Sequence, residues 1–209
     1  MLEEEEPLVA LEAGVTPKLA ELRLHQGTVW HWNRPVFDGT DEGHLRIEMR
    51  ALPAGPTVTD MVANAAFLIG LTLALAPREA ELRRAISFEQ AQANFYRAAQ
   101  DGLGARLTWF NERGQTEERA AGELVRNLLP LAAEGLRASG VEESEVNGML
   151  AVLDRRVVTG QTGSSWQLAT LGALERTAAR DVALERLVER YLALSLTGVP
   201  VHEWPVEGG

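Results

Sequence analysis

Alternating apolar and charged side chains at residues 44–50 predict a β-strand over 44–51. Successive side chains of an extended chain point to opposite faces, so the segment has an apolar face and a charged face. The three apolar residues share one face and the three charged residues share the other: Leu45, Ile47 and Met49 against Arg46, Glu48 and Arg50. We expect the apolar face to pack in the core.

A second strand is predicted over residues 26–32, because Thr28, Trp30 and Trp32 are residue types that favour pleated surfaces. Residues 33–35, Asn-Arg-Pro, are expected to end it. The two strands can pair antiparallel, although the loop between them is too long for a tight hairpin.

The longest apolar stretch, residues 61–76, predicts a helix that is buried on several sides, since apolar residues cover most of its circumference. Thr57 and Asp60 have the spacing of a helix start. The stretch contains Asn64 and is shorter than the roughly 20 residues that a membrane span needs.

Capping signals, glycines and helical spacing of leucines organise the rest of the chain. Ser87 and Gln90 form a capping-box pattern that predicts a helix to about residue 101. A short strand over 105–110 and a turn over 111–114 are expected to follow. Further predicted segments are a loop-like N-terminus over 1–13, a helix over 16–24, a helical region from 117 that Pro130 kinks or divides, helices over 142–156, 164–176 and 181–196, and an extended tail over 199–205.

These elements predict an α+β fold, a small antiparallel sheet with extensive helical cover. We find no linker-like composition, so we expect a single domain over residues 1–209. Within it, residues 1–110 would form the strand-containing half with the site, and residues 111–209 would be mainly helical.

The net charge of the chain limits the classes of partner that we expect it to bind. The 209 residues carry a formal net charge of −10, which argues against a general nucleic-acid binder or a binder of anionic membranes. The chain has no cysteine, so disulfides and thiolate metal sites are impossible. The acidic run over residues 3–6 is the opposite of a basic, apolar signal peptide. A cytoplasmic location is therefore expected.

The charged face of the 44–51 strand is the strongest candidate for chemistry. Mg²⁺ usually takes one or two carboxylates together with substrate phosphates, and arginines bind phosphate in a bidentate manner. Arg46, Glu48 and Arg50 could therefore hold a metal-bound polyphosphate. They could also form a solvated ladder of salt bridges, and the residues taken alone favour the ladder.

Two further segments leave alternatives open. Arg34 could bind a substrate carboxylate or phosphate, or cap a carbonyl, and the neighbouring Trp30 and Trp32 could wall a pocket or pack in the core. Residues 159–167 contain two glycines before a helix start. They could bind an anion through free N–H groups, although an ordinary loop with serine N-caps is favoured. His25, His31 and His44 could cluster if the two strands pair, but strand histidines are more often structural.

Three segments together resemble a known family. They read LRLHQGTVWHWNRPVFD, HLRIEMRALPAGPTVTDMVANAAFLIGL and TGQTGSSWQ. They are similar to the carboxylate–amine ligases of the glutamate–cysteine ligase type 2 group, and the closing PVHEWPV also fits. The Arg-Ile-Glu-Met-Arg segment at residues 46–50 is also similar to the Arg-Ile-Glu-x-Arg segment of glutamine synthetases, whose fold this group shares.

The resemblance implies a mechanism with ATP and Mg²⁺ as cofactors. Family members are thought to phosphorylate a side-chain carboxylate, typically of glutamate, and an amine then attacks the acyl phosphate. On this model Glu48 is a magnesium ligand. Arg46 and Arg50 are catalytic and contact ATP phosphates or the transferring phosphoryl group, and Arg34 helps to hold a substrate carboxylate or phosphate. Amino acids would be the small-molecule substrates.

The resemblance also implies that the chain corresponds to the C-terminal portion of the family's fold. Full-length relatives begin with further strands that supply more acidic metal ligands and much of the pocket. A sheet without those strands has an unpaired edge, so we expect a homo-oligomer or association with the missing N-terminal portion. His31 stands where an arginine is expected. The alternative function is that of a non-catalytic, truncated paralogue that acts as a scaffold or binding protein.

Overall fold

The computed structural model describes residues 6–28, 32–40, 42–111 and 114–206. The chain divides into two compact units, Met1–Pro53 and Ala54–Gly209. The helices are α1 (Pro7–Glu12), α2 (Ala20–Thr28), α3 (Val58–Leu75), α4 (Glu79–Ala85), α5 (Phe88–Asp101), α6 (Ala121–Ala138), α7 (Glu143–Thr159), α8 (Gly163–Leu174) and α9 (Arg180–Ser195), and the strands are β1 (Asn33–Asp38), β2 (His44–Met49), β3 (Arg106–Phe110) and β4 (Thr116–Ala120).

The first unit is built on an antiparallel pair of strands, β1 and β2, in which Arg34 lies opposite Glu48 and Asp38 lies opposite His44. Gly43 ends the connection between them with a φ of +72°, a conformation that favours glycine. A Cβ at this position would also lie 2.5 Å from Cγ2 of Thr16. The predicted strand at 44–51 is confirmed in kind, and it ends at Met49.

The predicted strand over 26–32 is wrong for residues 26–28, which form the last turn of α2. The hydroxyl of Thr28 donates to the Leu24 carbonyl at 2.7 Å within that helix, so local β-propensity is overridden. The part of this prediction over 29–31, including Trp30 and His31, lies outside the described residues. Trp32 is 60% exposed, so it does not pack in a core.

The paired strand begins at Asn33 and includes Pro35, which the sequence analysis expected to end it. The N–H and C=O of Phe37 face away from β2, and the side chain of Gln26 bonds both, at 2.9 and 3.4 Å. Pro35 lies two residues earlier, so its missing N–H falls on the same outer edge. A proline is tolerated there because no ladder hydrogen bond is lost.

The apolar face of β2 is not a core in this structure, contrary to expectation. Leu45, Ile47 and Met49 are 64%, 59% and 40% exposed. On β1 the same face includes Phe37, which is buried. Alternation therefore identified which side chains share a face, but it did not determine whether anything covers that face.

In the second unit, α3 packs against α6 and α7 around a core of small and branched residues. Gly70 of α3 and Gly135 of α6 meet at the closest point. A Cβ on Gly70 would lie 2.3 Å from the Ala132 carbonyl oxygen, and one on Gly135 would lie 2.0 Å from the Gly70 carbonyl oxygen. The two backbones can approach this closely only because both positions lack a side chain.

The prediction that this helix is buried on several sides is wrong, because α3 buries one face only. Its other face carries large exposed apolar residues: Val58, Met61, Val62, Ile69 and Leu73. We call these five residues the α3 stripe. By length and composition alone the helical stretch Val58–Ala85 would suffice to cross a membrane, a test that core helices of soluble proteins also pass.

A second hairpin, β3–β4, joins the two long helical stretches of this unit. α5 begins at the predicted capping box of Ser87 and Gln90, and Asn94 of α5 bonds the main chain of Thr108 at 2.7 and 2.8 Å. The strand β4 was missed, because residues from 117 onward were interpreted as helical. Pro130 lies inside α6, which continues through it undivided.

The C-terminal segment packs with α8 and α9 around an aromatic cluster. The cluster consists of Trp166, Tyr191 and Trp204, whose ring centroids lie 5.0–6.0 Å apart. The predicted helices at 142–156, 164–176 and 181–196 correspond to α7, α8 and α9. The tail that was expected to be extended forms a 3-10 turn at Val201–Glu203. Residues 7–12, expected to be loop-like, form α1.

The α+β class is confirmed: the described part of the chain has two small antiparallel sheets and is otherwise mainly helical. The expectation of one domain over residues 1–209, divided at 110, stays a prediction.

Candidate functional site

The charged face of the first hairpin carries a ladder of cross-strand ion pairs. Arg34 on β1 donates from Nε to Oε2 of Glu48 on β2 at 2.5 Å, with side chains 20% and 41% exposed. Arg34 also donates from Nη1 to the Gln26 carbonyl in the last turn of α2. That carbonyl is one of the last four of the described helix, so Arg34 caps α2 as well as pairing with Glu48.

Arg46 is held more loosely on the same face. Its Nη1 lies 3.6 Å from Oδ2 of Asp38 and 2.7 Å from Nε2 of His44, and its side chain is half exposed. A separation of 3.6 Å is beyond ordinary hydrogen-bond length. The Arg46 guanidinium is therefore the part of this face that is most available to a ligand.

Asp38 has its own partners in the turn after β1. Its Oδ1 accepts the main-chain N–H of Thr40 at 3.1 Å and the Thr40 hydroxyl at 2.8 Å. These hydrogen bonds, the main-chain one first, lower the pKa of the Asp38 carboxyl, and His44 and Arg46 lower it further. Asp38 thus stays ionised beside Arg46.

Arg50 follows β2 directly. Its main-chain N–H donates to the Trp32 carbonyl at 2.9 Å, which extends the strand pairing by one row. Arg34, Arg46, Glu48 and Arg50 therefore all lie on, or next to, the two paired strands of the first unit. The charged face therefore carries both a ladder of salt bridges and an exposed arginine, Arg46.

A magnesium ion would find an incomplete donor set on this face. Glu48 already shares one oxygen with Arg34, and among the described residues no group of three or more His, Asp or Glu side chains is placed to hold a metal. Mg²⁺ does accept one carboxylate with phosphates and waters. The described residues do not make a magnesium site by themselves.

A groove of about 490 Å³ opens on the same unit, between α2 and the hairpin. Arg23 and Arg46 line it together with the turn residues Asp38 and Thr40 and with Val36. Arg23 was not predicted as a site residue, although it lies in the 22–38 segment that carries the family resemblance. Its position follows only from the way in which Gln26, one turn later, bonds β1.

The glycine-containing loop over residues 159–167 takes a structural role in this fold. Thr162 and Ser165 form a capping box at the start of α8, with bonds of 2.7 and 3.1 Å. Gln161 donates to the carbonyls of Val201 and Trp204 at 2.7 and 2.8 Å and so holds the C-terminal turn. This is the capped loop that the sequence favoured.

One comparison with known proteins gives a match. The model of the family described as glutamate-cysteine ligase family 2 matches residues 7–190, which is most of the chain and includes both strands of the first hairpin. No curated protein and no solved structure matches the chain.

Proposed function

We propose that this chain, which belongs to glutamate-cysteine ligase family 2, is the site-bearing part of an ATP-dependent carboxylate–amine ligase. The family supports a ligase that joins a carboxylate to an amine, with ATP and metal dependence in general. The finer proposal is that ATP phosphorylates the carboxylate and that an amine attacks the acyl phosphate to give an amide. Glutamate and a second small amino acid are the proposed substrates.

The observation that carries the proposal is the charged face of the first hairpin, inside the matched region. Arg46 presents a half-exposed guanidinium to an open groove. A guanidinium stays charged and binds phosphate oxygens in a bidentate manner. Fixed positive charge at the transferring phosphoryl group is the main way in which proteins accelerate this chemistry. We assign phosphate contacts to Arg46 and Arg50.

Arg34 and Glu48 take positioning roles in this proposal. Their ion pair and the bond of Arg34 to the Gln26 carbonyl tie α2, β1 and β2 together next to Arg46. Glu48 would be a magnesium ligand, and one of its oxygens is free of Arg34. One carboxylate is an incomplete donor set for Mg²⁺, so further metal ligands would be needed from outside the described residues.

We propose that the chain associates with another polypeptide, either a second copy of itself or an N-terminal portion of the ligase fold. Two exposed apolar surfaces support this: the α3 stripe, and the face of β2 that carries Leu45, Ile47 and Met49. α3 contains one charged residue, Asp60, and that residue is fully buried. Exposed apolar patches without charge are typical of association surfaces.

The alternative function, a non-catalytic scaffold or binding protein, is favoured by a different observation. Glu48 is engaged by Arg34 and has no second carboxylate beside it in a metal-binding group within the described chain. A truncated paralogue that kept its fold and its association surfaces would show the same engaged carboxylate. Only ligand binding separates the two functions.

We also propose a cytoplasmic location and no role in binding nucleic acid or membranes. The support is the absence of cysteine and the net charge of −10, which repels polyanionic partners.

Hydrogen–deuterium exchange with and without Mg-ATP tests the proposed site. Binding at the charged face should slow exchange of the main-chain amides in β1 and β2. Helices α6 to α9 should show no change and serve as the internal control. Protection confined to the second unit, or no protection at saturating Mg-ATP, would contradict the proposed function.

A further inference from the structure

We propose that Arg23 and Arg46 form a two-guanidinium subsite for a phosphoryl group in the groove between α2 and the first hairpin. The inference rests on the proposed function in one respect, namely that the phosphoryl group belongs to the ligase's nucleotide or acyl phosphate. Arg23 lies in the 22–38 segment that carries the family resemblance, but no role was predicted for it from the sequence.

The position of Arg23 is fixed by its helix. Gln26 lies three residues later, on the same side of α2, and its side chain bonds both main-chain groups of Phe37 in β1. α2 is therefore attached to the hairpin at Gln26, and Arg23 lines the groove one turn away. Within the described part of the chain no carboxylate forms a salt bridge with Arg23.

Arg34, Arg46 and Arg23 differ in how far their guanidinium groups are available to a ligand. Arg34 is only 20% exposed and already serves Glu48 and the Gln26 carbonyl. Arg46 is half exposed, its Nη1 lies 3.6 Å from Oδ2 of its counter-ion Asp38, and the same Nη1 forms a hydrogen bond of 2.7 Å with His44. Arg23 is exposed. Two available guanidiniums on one groove can bind a single phosphoryl group together, since each offers a planar pair of donors.

Asp38 sets the affinity of this subsite. Its Oδ1 is occupied by Thr40 and its Oδ2 faces Arg46, so its negative charge competes with an incoming anion for Arg46. Neutralising Asp38 without disturbing the turn should therefore strengthen anion binding. The substitution Asp38→Asn does this, because the amide oxygen can still accept both bonds from Thr40.

Calorimetric titration of the full chain with pyrophosphate in the absence of Mg²⁺ tests the subsite. We expect Arg23→Gln and Arg46→Gln each to weaken binding about tenfold or more, as for loss of a hydrogen bond to a charged group. Arg23→Lys should restore part of the loss, and Asp38→Asn should tighten binding severalfold. Arg83→Gln, an exposed arginine of α4 paired with Glu79, is the matched control.

Pyrophosphate binding that is the same in Arg23→Gln and Arg83→Gln would overturn the inference, as would no binding to the wild type. Equal binding of acetate would overturn the phosphoryl assignment. The circular dichroism of each variant shows that its fold is intact. If Mg-ATP binds and depends on Arg46 but not on Arg23, this inference fails and the proposed function stands. If pyrophosphate binding depends on Arg23 but Mg-ATP does not bind, the proposed function fails and this inference stands.

Discussion

Asp60 is a charged residue that the fold buries completely, in the first turn of α3. Its carboxylate accepts bonds from Arg156 at 2.6 Å, from the Thr57 hydroxyl at 2.8 Å and from the Val201 main-chain N–H at 3.1 Å. Arg156 also bonds Asn64 at 2.7 Å. This network joins α3, α7 and the C-terminal turn.

Replacing Asp60 with Asn should lower the free energy of unfolding by about 3 kcal/mol, because Arg156 would keep a mostly buried charge without its partner. Urea denaturation followed by circular dichroism measures this. The control is Glu79→Gln, which breaks an exposed pair with Arg83 and should leave the midpoint unchanged. Equal midpoints for the two variants would contradict the structural role of Asp60.

The carboxyl of Asp38 should titrate below its ordinary pKa of 3.8, because Thr40 bonds its charged form. A pKa lowered by folding contributes stability above the unfolded value, and this stability is lost as the pH falls through the folded value. Thr40→Ala removes the hydroxyl but keeps the main-chain bond, so the pKa should return only part of the way. NMR titration of the Asp38 carboxyl checks this, and an unshifted wild-type value would contradict the turn geometry.

At the scale of elements, the contact of α3 with α6 depends on two glycines. Gly70→Ala should destabilise the second unit by about 1–3 kcal/mol, because the new methyl would lie 2.3 Å from the Ala132 carbonyl oxygen in a packed interface. Gly148→Ala in α7 is the matched control. Its Cβ would meet nothing within 4 Å, so it should stabilise the helix by about 0.5–1 kcal/mol. If both variants change the free energy of unfolding in the same direction in urea denaturation, the described contact of α3 with α6 is wrong.

Elements with local signals were predicted well from the sequence. The capping box of Ser87 and Gln90 identified the start of α5, and the alternation in residues 44–50 identified β2. Both signals lie within a few residues of the structure they specify. Arg46 was proposed as a site residue from the same alternation, whereas Arg34 was proposed from its place at the end of the predicted 26–32 strand, and both roles stay predictions.

Elements that depend on distant contacts were not predicted. β1 was predicted too early in the chain. The β-propensity of Thr28 and Trp32 does not indicate the hydrogen bond that the Phe37 N–H donates to the Gln26 side chain at the outer edge of β1. β4 has a charged sequence and exists through its pairing with β3. The groove position of Arg23 likewise depends on how α2 docks on β1.

At the scale of the whole molecule, the α3 stripe predicts self-association. Light scattering after size exclusion should give a mass above that of one chain. Ile69→Glu, which places a charge in the middle of the stripe, should shift the chain toward the monomer. Gln167→Glu, at an exposed position of α8, is the control and should leave the mass unchanged.

A wild-type monomer at high concentration would count against self-association and would leave a different polypeptide as the proposed cover of the stripe. An unchanged mass for Ile69→Glu in an associating protein would exclude the α3 stripe as the contact surface.

The charged face of the first hairpin should bind the phosphates and the metal of Mg-ATP. Calorimetric titration with Mg-ATP and, separately, with metal-free pyrophosphate tests it most directly. Arg46→Gln should weaken both ligands about tenfold, and Glu48→Gln should weaken Mg-ATP more than pyrophosphate, because Glu48 is both the proposed magnesium ligand and the partner of Arg34. Arg83→Gln should change neither. Mg-ATP affinity that is absent in the wild type, or unchanged in both Arg46→Gln and Glu48→Gln, would contradict the claim.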